Sequence, residues 1–274
     1  MGERDPRHVV GEVLATRRAG AFRHLTLTAR GIPERFRPGT FVAVSVAPTQ
    51  MARRALWIHR VSETGTFGPT LDVVVEPRGI GGRWLAEVNV GSRLELTGPL
   101  GRPFAIPKEP VACLLVGEGC SAAPLFPLAE RLRDRRAPVS FVLAGADESH
   151  LLAPREARRM SRSVQVVTAD GSVGNRGDVM TVLRTAIEAT EAAVVYAAGP
   201  TRMLRAVAEA AEEAGVQSQV AIEQPLSCGT GLCRGCVIDV RDAEGDAHQV
   251  RACLDGPVLP GDRVDWASLL GDAS

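Results

Sequence analysis

Over the first hundred residues the apolar positions come in short, partly alternating runs. HVVGEVLATRR, FRHLTLTAR, TFVAVSVAP and LDVVVEP are each broken off by glycine or proline, and GSRLELTGPLG closes the series. β-Branched runs with a period near two predict strands, and several short strands at this spacing predict a small barrel. From Pro107 the rhythm changes. VACLLVGEG, PVSFVLAGA, SVQVVTAD and AAVVYAAG are continuous apolar runs of the buried-strand type. The later part of SAAPLFPLAERLRDR, with GDVMTVLRTAIEAT and TRMLRAVAEAAEEAG, reads as amphipathic helix. Strands alternating with helices predict a doubly wound parallel sheet. Past VQSQVAIEQ a cysteine-rich stretch leads into a hairpin and the tail GDRVDWASLL. The expected architecture is multidomain, β plus α/β: a barrel over residues 1–106, an α/β unit over 107–219 and a C-terminal domain over 220–274.

Composition narrows the function classes. The 274-residue chain is 45% hydrophobic, enough for real cores, and its 32 lysines and arginines balance 32 aspartates and glutamates. A net charge of zero argues against a general nucleic-acid or membrane-surface binder. The start, MGERDPRHVV, has no apolar signal region, and no apolar run approaches a membrane span. The expectation is a soluble cytoplasmic protein.

Four of the six cysteines fall within residues 228–253, spaced Cys228-x4-Cys233-x2-Cys236-x16-Cys253. A C-x4-C-x2-C loop with a distant fourth cysteine is the plant-type [2Fe–2S] spacing: three thiolates curl around one inorganic core and a fourth arrives from another strand. Gly229, Gly231 and Gly235 suit the tight backbone such a loop needs. The competing reading is structural zinc, which normally takes paired C-x2–4-C knuckles; here one such pair lacks a clear second. Cys113, inside a strand, reads as a small core residue. Packing is also the default reading of Cys120, at a strand-to-helix turn.

The order of these parts, with GPLGRPF, APLFPLAERL, ADGSVGNRG, VVYAAGP and CGTGLCRGCV, resembles the ferredoxin–NADP reductase superfamily. Within it, the chain is most similar to the electron-transfer subunits of type B dihydroorotate dehydrogenase. The resemblance implies FAD on the barrel, a nicotinamide nucleotide (NAD) on the α/β unit and a [2Fe–2S] cluster held by Cys228, Cys233, Cys236 and Cys253. It also implies a catalytic partner, an FMN-containing dihydroorotate dehydrogenase subunit assembled as a heterotetramer, serving pyrimidine biosynthesis. The division of labour is physical: a nicotinamide exchanges hydride, a cluster exchanges single electrons, and a flavin does both.

The resemblance assigns further residues, with departures. The FAD motif of an arginine followed by a short stretch ending in Ser or Thr falls on Arg54, Ala55, Leu56 and Trp57, so a tryptophan replaces the hydroxyl beside the flavin. It either blocks the flavin ring, stacks on it or packs in the barrel. The second FAD segment falls on Gly79, Gly81 and Gly82, with Leu85; Gly82 stands where a threonine would contact phosphate, and backbone N–H groups can do that work. A glycine-rich turn without a ligand is the bland reading. The nucleotide loop falls on Gly117, Gly119 and Pro124, with Glu118 and Ser121 departing from the glycine pattern. Asp170 and Ser172 match a cofactor-adjacent turn that is also ordinary loop chemistry. Gly199 and Pro200 match a G-P pair usually preceded by cysteine, here Ala198.

These departures keep open a divergent paralogue feeding another flavoenzyme or an oxygenase, a cluster-bearing assembly subunit with impaired flavin and NAD sites, and a soluble reductase acting alone. No Ser/His/Asp nucleophile arrangement, zinc-protease motif or Walker loop is present, so no catalytic residue is assigned. His59 reads as a partly buried strand residue, and PREARRMSRS as a solvated basic surface.

Overall fold

The structure, a computed structural model, describes residues 6–46, 52–242 and 244–271. Six strands close into the N-terminal barrel: β1 (Arg7–Ala19), β2 (Phe22–Thr28), β3 (Phe41–Val44), β4 (Arg54–Ser62), β5 (Thr70–Val75) and β6 (Arg93–Leu100), in the order β1-β2-β5-β4-β3-β6. Every pairing is antiparallel. The inward side chains Val13, Leu25, Leu27, Val42, Ile58, Val73 and Leu96 are fully buried.

Strand β4 is absent from the hydrophobic pattern for a physical reason. Leu56 and Ile58 point into the barrel core, whereas Trp57 and His59 are buried on its outer side against the α/β unit. A strand covered on both faces shows no apolar–polar alternation. The glycine-rich segment after β5 is a helix and not a turn. α1 (Gly79–Ala86) seats Leu85 in the barrel core.

The α/β unit comprises β7 (Cys113–Glu118), α2 (Leu125–Asp134), β8 (Val139–Gly145), α3 (Pro154–Met160), β9 (Ser163–Thr168), β10 (Asn175–Arg176), α4 (Met180–Thr190), β11 (Val194–Ala198), α5 (Thr201–Glu213) and β12 (Gln217–Ala221). Its strands run parallel in the order β10-β9-β8-β7-β11-β12. The continuous apolar strands are buried because helices flank them, as parallel sheets require.

The C-terminal segment adds the hairpin β13 (Val237–Arg241) and β14 (Ala247–Arg251), then β15 (Val258–Pro260) and α6 (Trp266–Leu270). β15 pairs antiparallel with β12 and becomes the seventh strand of the large sheet. Three residues gave too short a run to be read in advance. Among the described residues no helix is long and apolar enough to cross a membrane.

Barrel and sheet meet along an aromatic seam. Phe22 stands edge-on to His150 at 6.1 Å, and His59 lies 5.0 Å from Phe126 of α2 and 5.7 Å from His24. His59 is 2% exposed, more deeply buried than its sequence context implies, with Nδ1 3.3 Å from the Ala123 carbonyl. Arg60 forms an ion pair with Glu156 of α3 across the same seam.

Burial, then the neighbouring His59 and Arg17, lowers the His24 pKa from 6.5 to about 4; burial lowers that of His59 too. The unfolded chain binds a proton near pH 6.5, whereas folded His24 resists it until about pH 4. Stability is therefore full above the unfolded value and declines as pH falls through this window. The expected loss from His24 is roughly 1–2 kcal/mol, allowing for its partial exposure. Denaturant melts at neutral pH and near pH 5, for the parent chain and His24→Gln, check this. Equal acid losses in the two proteins would remove His24 as the cause.

Candidate functional site

The cysteine loop lies between β12 and β13. Cys228 is half-buried and Cys233 exposed, while Cys236 and Cys253 are 2% and 0% exposed. Cys236 and Cys253 place their sulfurs 3.4 Å apart, because the hairpin β13–β14 carries the chain back and the Ala252 N–H donates to the Cys236 carbonyl at 2.9 Å.

Backbone N–H groups aim at the outer sulfurs. Those of Thr230 and Cys233 lie 3.4 and 3.5 Å from Cys228 Sγ, and that of Gly235 lies 3.3 Å from Cys233 Sγ. Although desolvation pushes the Cys228 thiol up, the N–H groups of Cys233 and Thr230 outweigh it and bring it to about 6. Cys253, buried beside Cys236, is pushed up to about 12. A positive metal core reverses such a shift by binding the thiolate.

Gly231 adopts φ +80, a left-handed conformation that favours glycine. Among the described residues, no three ligand side chains converge on one metal ion. One close thiol pair with two further thiols on an N–H-lined loop fits a two-iron core, whose ligands divide between two metals.

The loop packs on the barrel: a Cβ at Gly229 would lie 3.3 Å from both Ala43 of β3 and Leu100 of β6. Beside it opens a cavity of about 420 Å³, within the usual range for small-molecule sites. One wall is β3–β4, with Phe41, Arg53, Arg54, Ala55 and Trp57. The other is the segment 222–227, with Ala252 and Pro257. Trp57 is 8% exposed, stands edge-on to Phe41 at 6.1 Å and donates from Nε1 to Glu223 Oε1 at 2.6 Å. Its ring lines the cavity and is held across it by the carboxylate. Arg53 donates to Thr97 Oγ1 at 2.5 Å, whereas the exposed Arg54 guanidinium has no hydrogen bond or ion pair among the described residues.

The remaining assigned positions divide. Arg54, Ala55 and Trp57 line the cavity; Leu56 belongs to the barrel core and does not. Gly79, Gly81 and Gly82 lie on α1. A Cβ at Gly82 would meet the Glu76 carbonyl oxygen at 2.5 Å, so the fold itself excludes a threonine there. Gly117, Gly119 and Pro124 form the turn from β7 into α2. Gly199 and Pro200 follow β11 next to it: Ala198 pairs with Gly117, and a Cβ at Gly199 would stand 3.3 Å from Glu118 Cβ. Burial, reinforced by Asp178, pushes the Glu118 carboxyl above the usual carboxylate range. Asp170 sits apart, in the turn after β9, accepting the Ser172 N–H at 2.9 Å.

Cys120 donates to Glu76 Oε2 at 3.7 Å, and burial with Glu223 and Glu76 pushes its thiol up to about 12. Cys113 is a core thiol raised to about 11 by burial. Glu223 and the wall at 222–227 escaped the sequence reading; their position immediately before the first cysteine was the only signal.

A family model, the iron–sulfur cluster binding domain of dihydroorotate dehydrogenase B, matches residues 223–265. The electron transfer subunit of dihydroorotate dehydrogenase B (NAD(+)) from Desulforamulus reducens is 31% identical over 231 residues, covering 84% of this chain and 87% of that protein. The same subunit from Bacillus velezensis is 33% identical, covering 83% and 86%. Among solved structures, an NADH-dependent reduced ferredoxin–NADP oxidoreductase studied for flavin-based electron bifurcation superposes with a TM-score of 0.82 at 27% identity, covering 96% of this chain and 92% of that one. The ferredoxin reductase of carbazole 1,9a-dioxygenase shares the fold, with a TM-score of 0.66 at 23% identity over 77% of this chain and 67% of that one.

Proposed function

The chain belongs to the family of dihydroorotate dehydrogenase B electron-transfer subunits, and from that premise we propose that it relays electrons between NAD(H) and an FMN-containing catalytic subunit. FAD and a [2Fe–2S] cluster are its resident carriers, and the pathway it serves is pyrimidine biosynthesis in the cytoplasm. The observation that carries this reading is the packing of the N–H-lined cysteine loop on β3 and β6, next to a cavity whose wall includes β3 and β4. A cluster and a second cofactor held there are neighbours by construction.

In this reading a bound flavin supplies exchange of hydride with a nicotinamide and of single electrons with the cluster. The chain's own residues do the holding. Arg54, whose guanidinium has no partner among the described residues, is offered to the pyrophosphate, a bidentate fit. Phe41, Trp57, Leu226 and Pro257 form an apolar wall that keeps water from the ring. The N–H groups of Thr230, Cys233 and Gly235 favour thiolate at the outer ligands. Gly117 and Gly119 leave room at the end of β7 for a dinucleotide, flanked by Gly199 and Pro200.

Leu232, 87% exposed, lies between two cluster ligands, and Leu254, 40% exposed, follows the fourth. Apolar side chains around the ligands suit burial against the catalytic subunit, in the heterotetramer we assign. One observation favours a second reading: Trp57 replaces the flavin-facing hydroxyl and is tied to Glu223 across the cavity. A cluster-bearing assembly subunit without flavin would be built this way.

The deciding measurement is an absorbance spectrum of anaerobically purified protein, with iron, sulfide and flavin assayed together. The expected result is about two irons and one flavin per chain, with both chromophores bleached by NADH. Iron and sulfide without flavin, even after incubation with FAD, would overturn the relay in favour of the assembly subunit.

A further inference from the structure

A second cleft, of about 330 Å³, lies at the N-terminal edge of the parallel sheet. Its rim carries Arg133 and Arg136, from the end of α2 and the turn beyond, Arg159 of α3 and Arg162 leading into β9; Pro138, Val139 and Met160 complete it. All four arginines are exposed. Among the described residues none of their guanidinium groups has an ion pair or hydrogen bond, whereas Arg60, Arg78, Arg184, Arg205, Arg241 and Arg251 elsewhere are paired with carboxylates.

Helix dipoles account for part of this. Arg133 and Arg159 sit in the last turns of α2 and α3, where cations are favoured. Arg136 and Arg162 lie outside the helices. Arg136 also has φ +61, a left-handed conformation after a helix where glycine is the usual residue. A side chain is kept where the backbone disfavours one.

We propose that this cleft is a binding site for a polyphosphate anion, either a free polyphosphate such as pyrophosphate or the phosphate tail of a nucleotide. Guanidinium forks match phosphate oxygens bidentately, and four arginines lining one cleft suit a ligand carrying several negative charges. The site is separate from the cavity and the cysteine loop. β8 runs from Val139 at the cleft to Gly145 at the opposite edge, where β7 turns into α2; seven residues of strand span about 20 Å. An occupant would bridge the ends of α2 and α3, the two helices the barrel meets through Phe126 and Glu156. The inference does not depend on the flavin or cluster readings.

The test is calorimetric titration of the purified full chain with sodium pyrophosphate and, separately, ATP, at about 0.15 M salt so that diffuse attraction is screened. Saturable binding, one ligand per chain, is expected, weakened by about thirtyfold or more in the Arg133→Ala, Arg159→Ala double variant. Arg136→Gly, which suits the left-handed backbone and keeps the fold, is expected to weaken binding by about tenfold. Pyrophosphate binding as tightly as ATP identifies free polyphosphate as the source; ATP binding tenfold more tightly identifies a nucleotide. Absence of saturable binding at millimolar ligand, or equal binding by parent and variants, overturns the proposal. Loss of partner association in the variants, with no pyrophosphate binding by the parent, overturns it in favour of an acidic protein surface.

Discussion

Cys236→Ser is expected to bring the iron and sulfide content from about two per chain to near zero, and to abolish the cluster's visible absorbance. Cys236 is 2% exposed and its sulfur lies 3.4 Å from Cys253. Serine is close in size, so the hydrogen bond from Ala252 N–H to the residue 236 carbonyl and the hairpin beyond should persist. What disappears is a soft thiolate at a position shielded from water, and alkoxide oxygen is a poor substitute. Cys113→Ser is the control: that thiol is equally buried but sits in β7, and its iron content should match the parent. Full iron in Cys236→Ser would show that the cluster is ligated otherwise. Far-UV circular dichroism separates lost metal from a lost fold.

Arg54→Ala is expected to weaken FAD retention by about tenfold or more, the usual size of a charge-assisted contact to phosphate. Arg54 lines the cavity with no protein partner among the described residues, whereas its neighbour Arg53 is committed to Thr97. Its removal therefore takes nothing from the barrel's own hydrogen bonding. Flavin per chain after gel filtration, and FAD titration of the stripped protein, measure the effect. Arg54→Lys should recover part of it, since the charge remains while the bidentate fork is lost. Unchanged FAD affinity in Arg54→Ala would remove the pyrophosphate assignment.

The parts of this molecule visible in the sequence are those whose determinants are local. The barrel's hairpin strands and the sheet's apolar strands announce themselves by period, and the ligand spacing of the cysteine loop is set within a few residues. Strand β4 is hidden because Leu56 and Trp57 are buried on opposite sides. α1 is hidden because its glycines read as a turn, and the reason for Gly82 appears only when Glu76 is brought beneath it. The wall formed by 222–227 has no periodic signature, since it belongs to no element and acquires its role by lying opposite Trp57. PREARRM reads as a solvated basic surface, yet it is α3, and Ala157 and Met160 anchor it.

The pairing of β15 with β12 has a kinetic meaning. The Arg102 N–H at the barrel's end donates to the Gly256 carbonyl at 2.5 Å, and the Ile222 N–H donates to the Pro257 carbonyl at 2.9 Å, so the chain leaving Cys253 is fastened to both larger units within a few residues. Tethered redox modules on flexible arms must search for their donor, and solvent viscosity and ionic strength slow that search. A carrier mounted as this one is has no search to make. Its internal electron step is governed by a fixed gap through packed protein, and the encounters left to diffusion are those with the nicotinamide and with other proteins.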